Sequence, residues 1–281
     1  MPTHYSQTEL EAQYNNQRRV PEFPRLVARW RERSAAIQAS AECRLDLAYG
    51  DGPRDRFDYY PCATPHAPLL VYLHGGYWQA GDKSLYGFLT PGPVAGGFNV
   101  AIPNYDLCPQ AALEDIGPQL ARALIHLHGQ AMELGFDREQ IYLSGHSAGG
   151  HLTAMLLATD FSQLQPELPT GLFRAGISIS GLFDLAPLIP TSLNSALGLN
   201  RARAGALSPI HLTPVSSAPL LASVGAEESE EFHRQARAIC QAWEPAGRYL
   251  EIPASNHFTV LQSLAEPDGQ LCRQLRNSAR P

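Results

Sequence analysis

Three short stretches of this chain could do chemistry together. The first is Gly145-His146-Ser147-Ala148-Gly149, which follows the apolar run Ile141-Tyr142-Leu143-Ser144 and opens the helical run His151 to Ala158. A strand, a G-x-S-x-G turn and a helix in that order hold a serine in a strained, exposed position. Its hydroxyl then faces a cleft, and the first amides of the helix face the same point. The flanking glycines lack the side chains that would block so sharp a turn. The chemistry implied is nucleophilic attack by Ser147 on an acyl carbon.

A serine hydroxyl needs a base to take its proton, and the base needs a carboxylate to orient it. Where a serine sits on such a turn, the chain order is serine, acid, histidine. His257 meets that order, because Pro253-Ala254-Ser255-Asn256-His257-Phe258 follows the strand-like Tyr249 to Ile252. His233 falls inside a helical stretch and His211 comes too early. The acid belongs after the preceding strand, in Gly225-Ala226-Glu227-Glu228-Ser229-Glu230-Glu231. Glu230 and Glu231 read as the first turn of a helix, where the dipole favours them. Glu227 and Glu228 remain as candidates, with Asp184 as an outside alternative.

The third stretch is His74-Gly75-Gly76-Tyr77-Trp78, directly after the apolar run Leu69 to Leu73. Glycines there let main-chain N–H groups of Gly75 and Gly76 approach a developing oxyanion, and the N–H of Ala148 would supply the other half of the hole. His74 reads as a structural hydrogen-bonder. His126-x-His128 has a spacing that does not share a helix face, so it makes a poor metal site. His146 and His151 read as packing. Tyr77, Trp78, Tyr105 and Phe258 flank these loops and are the candidate walls of a substrate pocket.

The elements that must position these residues alternate. Arg44 to Tyr49 and Asp55 to Tyr60 read as a hairpin across Gly50-Asp51-Gly52-Pro53. Continuous apolar runs follow at 68–73 and 98–103, then strands at 141–143, 175–180, 219–225 and 249–252, with a helix over 112–134. Strands alternating with helices after an initial hairpin predict an α/β domain with a mostly parallel sheet and helices on both faces. Residues 7–38 read as helical and polar, interrupted by Pro21 and Pro24. The expected organisation is an N-terminal extension over 1–40 and a catalytic domain over 41–281. Within the latter, the proline-rich 184–216 segment forms a small cap over the cleft.

Hydrophobic residues make up 44% and charged residues 17% of 281, which suits a soluble globular enzyme. A net charge of −6 offers no basic field for nucleic acid or anionic lipid. Arg18-Arg19 and the arginines at 29, 31 and 33 read as a solvated helix face. Cys43, Cys62, Cys108, Cys240 and Cys272 are odd in number and scattered, which suggests reduced thiols and a cytoplasmic location. Met1 to Gln7 has no apolar core, so it does not read as a signal peptide, and no run reaches membrane-spanning length. The expected partner is a small-molecule substrate, with no cofactor and no metal. Assembly as a homodimer is left open.

Taken together, His74-Gly75-Gly76-Tyr77-Trp78-Gln79 and Gly145-His146-Ser147-Ala148-Gly149 resemble the kynurenine formamidase (arylformamidase) family of α/β-hydrolases. Tyr14-Asn15-Asn16-Gln17-Arg18, Tyr105-Asp106-Leu107-Cys108-Pro109, Ser180 to Leu185 and Val224 to Phe232 resemble recurring segments of the same family. The resemblance implies the α/β-hydrolase fold, Ser147 as nucleophile, His257 as base and, four places before Phe232, Glu228 as acid. Many members carry aspartate there, and Gly150 stands where relatives often have alanine. The implied reaction is hydrolysis of N-formyl-L-kynurenine to kynurenine and formate. The oxyanion would be held by Gly75 or Gly76, Tyr77 and Ala148. Tyr77 stands in place of a third glycine found in related esterases, and its bulk would narrow the acyl side toward formyl or acetyl. A short-chain carboxylesterase, or an amidase for another N-acyl compound, would use the same machinery. A non-catalytic binding protein on this fold would need a broken triad.

Overall fold

A computed structural model of the chain describes residues 5–40 and 42–279. The expectations that touch residues 1–4, 41, 280 and 281 lie outside the described residues; among them are the start of the N-terminal extension and the outer limits of the catalytic domain.

Eight strands form one sheet: β1 (Arg44–Ala48), β2 (Arg56–Tyr60), β3 (Ala67–Leu73), β4 (Asn99–Pro103), β5 (Phe136–His146), β6 (Ala175–Ile179), β7 (Leu220–Gly225) and β8 (Gly247–Ile252). Their spatial order is β1-β2-β4-β3-β5-β6-β7-β8. The β1–β2 hairpin and the β2–β4 pair are antiparallel, and every pair from β4 through β8 is parallel. The continuous apolar run of β3 is explained by its central position. Leu69, Val71 and Leu73 point into one core with Ile116, Leu120 and Leu152, whereas Leu70 and Tyr72 point into the other with Phe88, Phe98 and Leu264. Period-two alternation thus places apolar side chains on both faces, and helices cover both.

Three boundaries differ from expectation. The strand expected at 141–143 runs from Phe136 to His146. The helix expected over 112–134 ends at Gly129 and restarts as Ala131–Leu134. The N-terminal segment folds as α1 (Gln7–Tyr14), α2 (Asn16–Arg19) and α3 (Phe23–Ser40). Pro24 falls in the first turn of α3, where a missing N–H costs nothing, so it begins that helix instead of breaking one. The 184–216 segment consists of short 3-10 turns and two small helices, Asn194–Leu197 and Arg201–Ala206.

The chain adds β4 to one side of β3 and then returns to lay β5 on the other side. That reversal is a topological switch point, and in open α/β sheets the crevice for a ligand opens beyond the carboxyl ends of the strands flanking it. The register aligns Leu73 with Gly145, Gly145 with Ser178, Ile179 with Ser223 and Gly225 with Ile252. The loops that begin at His74, Ser147, Ser180, Ala226 and Pro253 therefore all leave the same edge of the sheet.

Candidate active site

Ser147 joins β5 to the helix Ala148–Leu157 with φ 55° and ψ −116°, a conformation that L-residues rarely adopt. Packing on all sides holds it there. A Cβ at Gly145 would lie 2.1 Å from the Gly149 carbonyl oxygen, and one at Gly149 would lie 2.0 Å from that of Leu73. The Ser147 N–H donates to Ile179 O at 2.8 Å, which fixes the turn to β6 and leaves the side chain to face the cleft. No hydrogen bond to Ser147 Oγ is formed among the described residues, as is common before substrate arrives.

The carboxylate of Glu228 sits beside the His257 imidazole, and both are buried. His257 Nδ1 donates to Glu228 Oε2 at 2.6 Å. Glu228 Oε1 accepts from Ser180 Oγ at 2.5 Å and from the Gly225 N–H at 2.7 Å. Three donors thus hold one carboxylate, and the proton on Nδ1 leaves Nε2 as the ring's free lone pair. The imidazole is also fixed through its main chain, because His146 Nε2 donates to the His257 carbonyl at 2.7 Å. The rings of His146 and Phe232 lie 4.7 and 4.6 Å from it, centroid to centroid. Burial, with the neighbouring His257 adding to it, pushes the His146 pKa well below its ordinary value, so His146 is neutral at physiological pH. Glu227, one residue earlier, is exposed. Asp184 is turned toward the Ala186 N–H and Arg234.

The glycine stretch after β3 lies against this turn. A Cβ on Gly75 would meet the His146 carbonyl oxygen at 2.9 Å and Ser147 Cβ at 3.2 Å, so no larger residue fits between the two loops. Gly76 has φ 123°, and Tyr77 and Trp78 follow at 50° and 57°. Three successive residues with positive φ turn the chain back on itself, and the turn is closed by the N–H groups of Gln79 and Ala80 donating to Gly76 O. Among the described residues, the N–H groups of Gly76, Tyr77 and Ala148 make no hydrogen bond within the chain.

Ser147, His146, Gly76 and His257 line one cavity of about 280 Å3. Tyr77 and Phe258 line it too. Trp78 and Tyr105, expected in the same wall, do not: both are fully buried behind the loop. Tyr105 Oη donates to the His74 carbonyl, and Trp78 meets His151 edge-on. Their position beside a cleft loop was the right neighbourhood, but their bulk fills the core that supports it. His74 is stacked between Tyr86 and Tyr105 and donates through Nδ1 to Gly75 O, which makes it a brace.

Sequence reasoning did not place the N-terminal helices in the site. Tyr14, Asn16, Phe23, Val27 and Trp30 all line the cavity, as does Leu193 from the 184–216 segment. Tyr77 Oη donates to the Tyr14 carbonyl at 2.6 Å, and Tyr14 Oη donates to Glu231, so the extension is tied to both sides of the cleft. A signal was present. Phe23, Leu26, Val27, Trp30, Ser34 and Ile37 follow helical spacing on α3, which marks a buried stripe. Ser180, read as the end of a strand and the start of a family-like segment, was given no role in the site.

A mostly parallel eight-stranded sheet, helices on both faces and a serine on a strained strand-to-helix turn at the switch point define an α/β-hydrolase. Residues 59–185 match the BD-FAE family. Kynurenine formamidase of Salmo salar is 30% identical over 262 residues, which span 89% of this chain and 86% of that protein. Kynurenine formamidase of Danio rerio is 28% identical, covering 96% and 95%. A crystal structure from Silicibacter sp. tm1040, described provisionally as a thioesterase, superposes with a TM-score of 0.85 at 33% identity, covering 94% and 98%. The chain belongs to the kynurenine formamidase family of α/β-hydrolases.

Proposed function

We propose that this chain is a serine hydrolase that cleaves a formyl amide of an aromatic amine, with N-formyl-L-kynurenine as its substrate and kynurenine and formate as products. Ser147 Oγ attacks the formyl carbon while His257 Nε2 takes its proton. Glu228 keeps the imidazole in the tautomer that can do so and stabilises the imidazolium that forms. The oxyanion lies between the N–H of Ala148 and those of Gly76 and Tyr77, with Gly75 keeping the loop close. Collapse breaks the C–N bond, and the imidazolium gives its proton to the departing aniline nitrogen. Water, activated by the same imidazole, then cleaves the formyl ester on Ser147 and releases formate.

The observation that carries this reading is the bond between Glu228 Oε2 and His257 Nδ1, made beside a serine held on a strained turn in the same cavity. The experiment is formate release from N-formyl-L-kynurenine by wild type and by Ser147→Ala. We expect the variant to lose at least about a thousandfold in kcat, as removal of a nucleophile does elsewhere. Undiminished formate release by Ser147→Ala would end the proposal. The thioesterase description of the Silicibacter relative keeps a second reading open, a short-chain acyl esterase using the same residues. A kcat/KM on N-formyl-L-kynurenine below that on p-nitrophenyl acetate would favour it. The described cysteines are free thiols, in keeping with a reducing compartment, and we place the enzyme in the cytoplasm.

A further inference from the structure

The cavity that holds Ser147 does not end at its aromatic wall. Glu11, Asn15 and Ser192 line it and also line a wider outer groove of about 610 Å3. The two spaces differ in chemistry. Phe23, Trp30, Tyr77, Tyr86 and Phe258 give the inner one aromatic walls, and Glu11 is the one formally charged side chain among the residues that line it. The outer groove adds Arg18 and Arg19.

Glu11 is fixed and half-buried. Ser192 donates to it twice, through its N–H at 2.8 Å and its hydroxyl at 2.5 Å, one bond to each carboxylate oxygen. Each oxygen keeps a further lone pair. Neither bond brings a positive charge, and Glu11 has no ion pair among the described residues. Arg18 and Arg19 are exposed and likewise have no carboxylate partner there. A carboxylate and two guanidinium groups therefore share one groove without neutralising one another. An aromatic chamber opening onto separated charges of both signs suits a ligand with an aryl body and a zwitterionic end.

We infer that the outer groove seats the α-amino-acid end of the substrate, its ammonium on Glu11 and its carboxylate on Arg18 or Arg19. The inference rests on the formamidase reading for the reacting bond but concerns the opposite end of the molecule. Glu11 can accept from an ammonium on the lone pairs that Ser192 leaves, and a guanidinium can donate two parallel bonds to a carboxylate. The N-terminal helices thereby set specificity, while the sheet edge does the chemistry.

The test uses formate release from three formamides: N-formyl-L-kynurenine, its Nα-acetyl derivative, which lacks the ammonium, and its α-carboxamide, which lacks the carboxylate. Ratios of kcat/KM are read within one enzyme, so a partial loss of folded protein cancels. In Glu11→Gln, the preference for the free amine over the acetylated compound should fall roughly tenfold, the scale of a hydrogen bond to a charged group. In the double variant Arg18→Gln/Arg19→Gln, whose side chains the fold does not use, the preference for the acid over the carboxamide should fall about fivefold. Two ratios equal to those of wild type overturn the inference while leaving the formamidase reading intact. A ratio that moves in one variant alone overturns the half assigned to the other. A wild-type enzyme that releases formate from none of the three removes both readings.

Discussion

At the scale of single residues, Glu228 is the informative position. The loop holds four glutamates within five residues, and local spacing left Glu227 and Glu228 level. Family resemblance favoured Glu228, although relatives often carry the shorter aspartate. The added methylene is absorbed by a turn in which the Glu228 N–H donates to Gly225 O while its own carboxylate accepts from the Gly225 N–H. Ser180 supplies the second donor, from an adjacent strand end. That partnership could not be read along the chain, because 48 residues separate the two groups and only the β6–β7 register brings them together. Glu228→Gln keeps the shape but presents an amide to Nδ1, which favours the wrong tautomer; kcat for formate release should fall by on the order of 10^3 to 10^4. Glu227→Gln, on an exposed side chain, should stay within about threefold of wild type. Ser180→Ala should fall between them, about tenfold in kcat with KM unchanged, because it removes one hydrogen bond to a charged group. Equal losses for Glu227→Gln and Glu228→Gln would mean that the carboxylate at His257 is not the one in use.

At the scale of elements, the sheet was legible and the wall was not. Of the strands that carry loops of the candidate site, β3, β5, β6 and β7 gave largely apolar runs, since a strand buried on both faces has little polar alternation to obscure it. The β8 strand, at the edge of the sheet with Arg248 and Glu251 exposed, gave only the short stretch Tyr249 to Ile252. The α3 helix carries a buried stripe that the reading of 7–38 as polar passed over, and a stripe states only that something covers it, not what. Its partners, Phe88 and Phe258, lie far away in sequence. The extension is held over the cleft by a few side-chain bonds, with Tyr77 at the centre: its hydroxyl donates to the Tyr14 carbonyl and accepts from Asn16 Nδ2. Tyr77→Phe keeps the ring in the cavity and removes that tie. Amide hydrogen exchange over residues 7–19 should then speed up by roughly five- to tenfold, the effect of losing about 1 kcal/mol of local stability. KM for N-formyl-L-kynurenine should rise by a similar factor while kcat holds. Unaltered exchange over those residues would show that the Tyr77 hydroxyl is not a tie that holds the extension, leaving its apolar packing and its bonds to Glu231 and Ser192 to do so.

At the scale of the whole molecule, three buried imidazoles couple the fold of the site to pH. His74, His146 and His151 are each at most 4% exposed. Burial pushes the pKa of His74 and of His151 down to about 4, and takes that of His146 well below its ordinary value. Each ring donates one hydrogen bond to a carbonyl: His74 to Gly75, His146 to His257 and His151 to Leu207. In the unfolded chain each would titrate near 6.5, so the native state is the one that binds fewer protons below that pH. The stability supplied by keeping them neutral is complete above the unfolded value, declines as pH falls from about 6.5 toward 4, and is spent below it. For His74 and His151 the gap between about 4 and 6.5 corresponds to roughly 3 kcal/mol apiece, a large share of what holds a domain together. The loss should begin at the site, since these rings brace the glycine loop, the main chain of His257 and the helix behind Ser147. Calorimetric unfolding in buffers of different ionisation enthalpy reports the protons taken up. The uptake should be larger by about three at a pH near 5 than at a pH near 8. An uptake that does not change across that range would mean that these imidazoles are protonated in the folded protein, and the neutral braces proposed for the glycine loop and for His257 would fall with it.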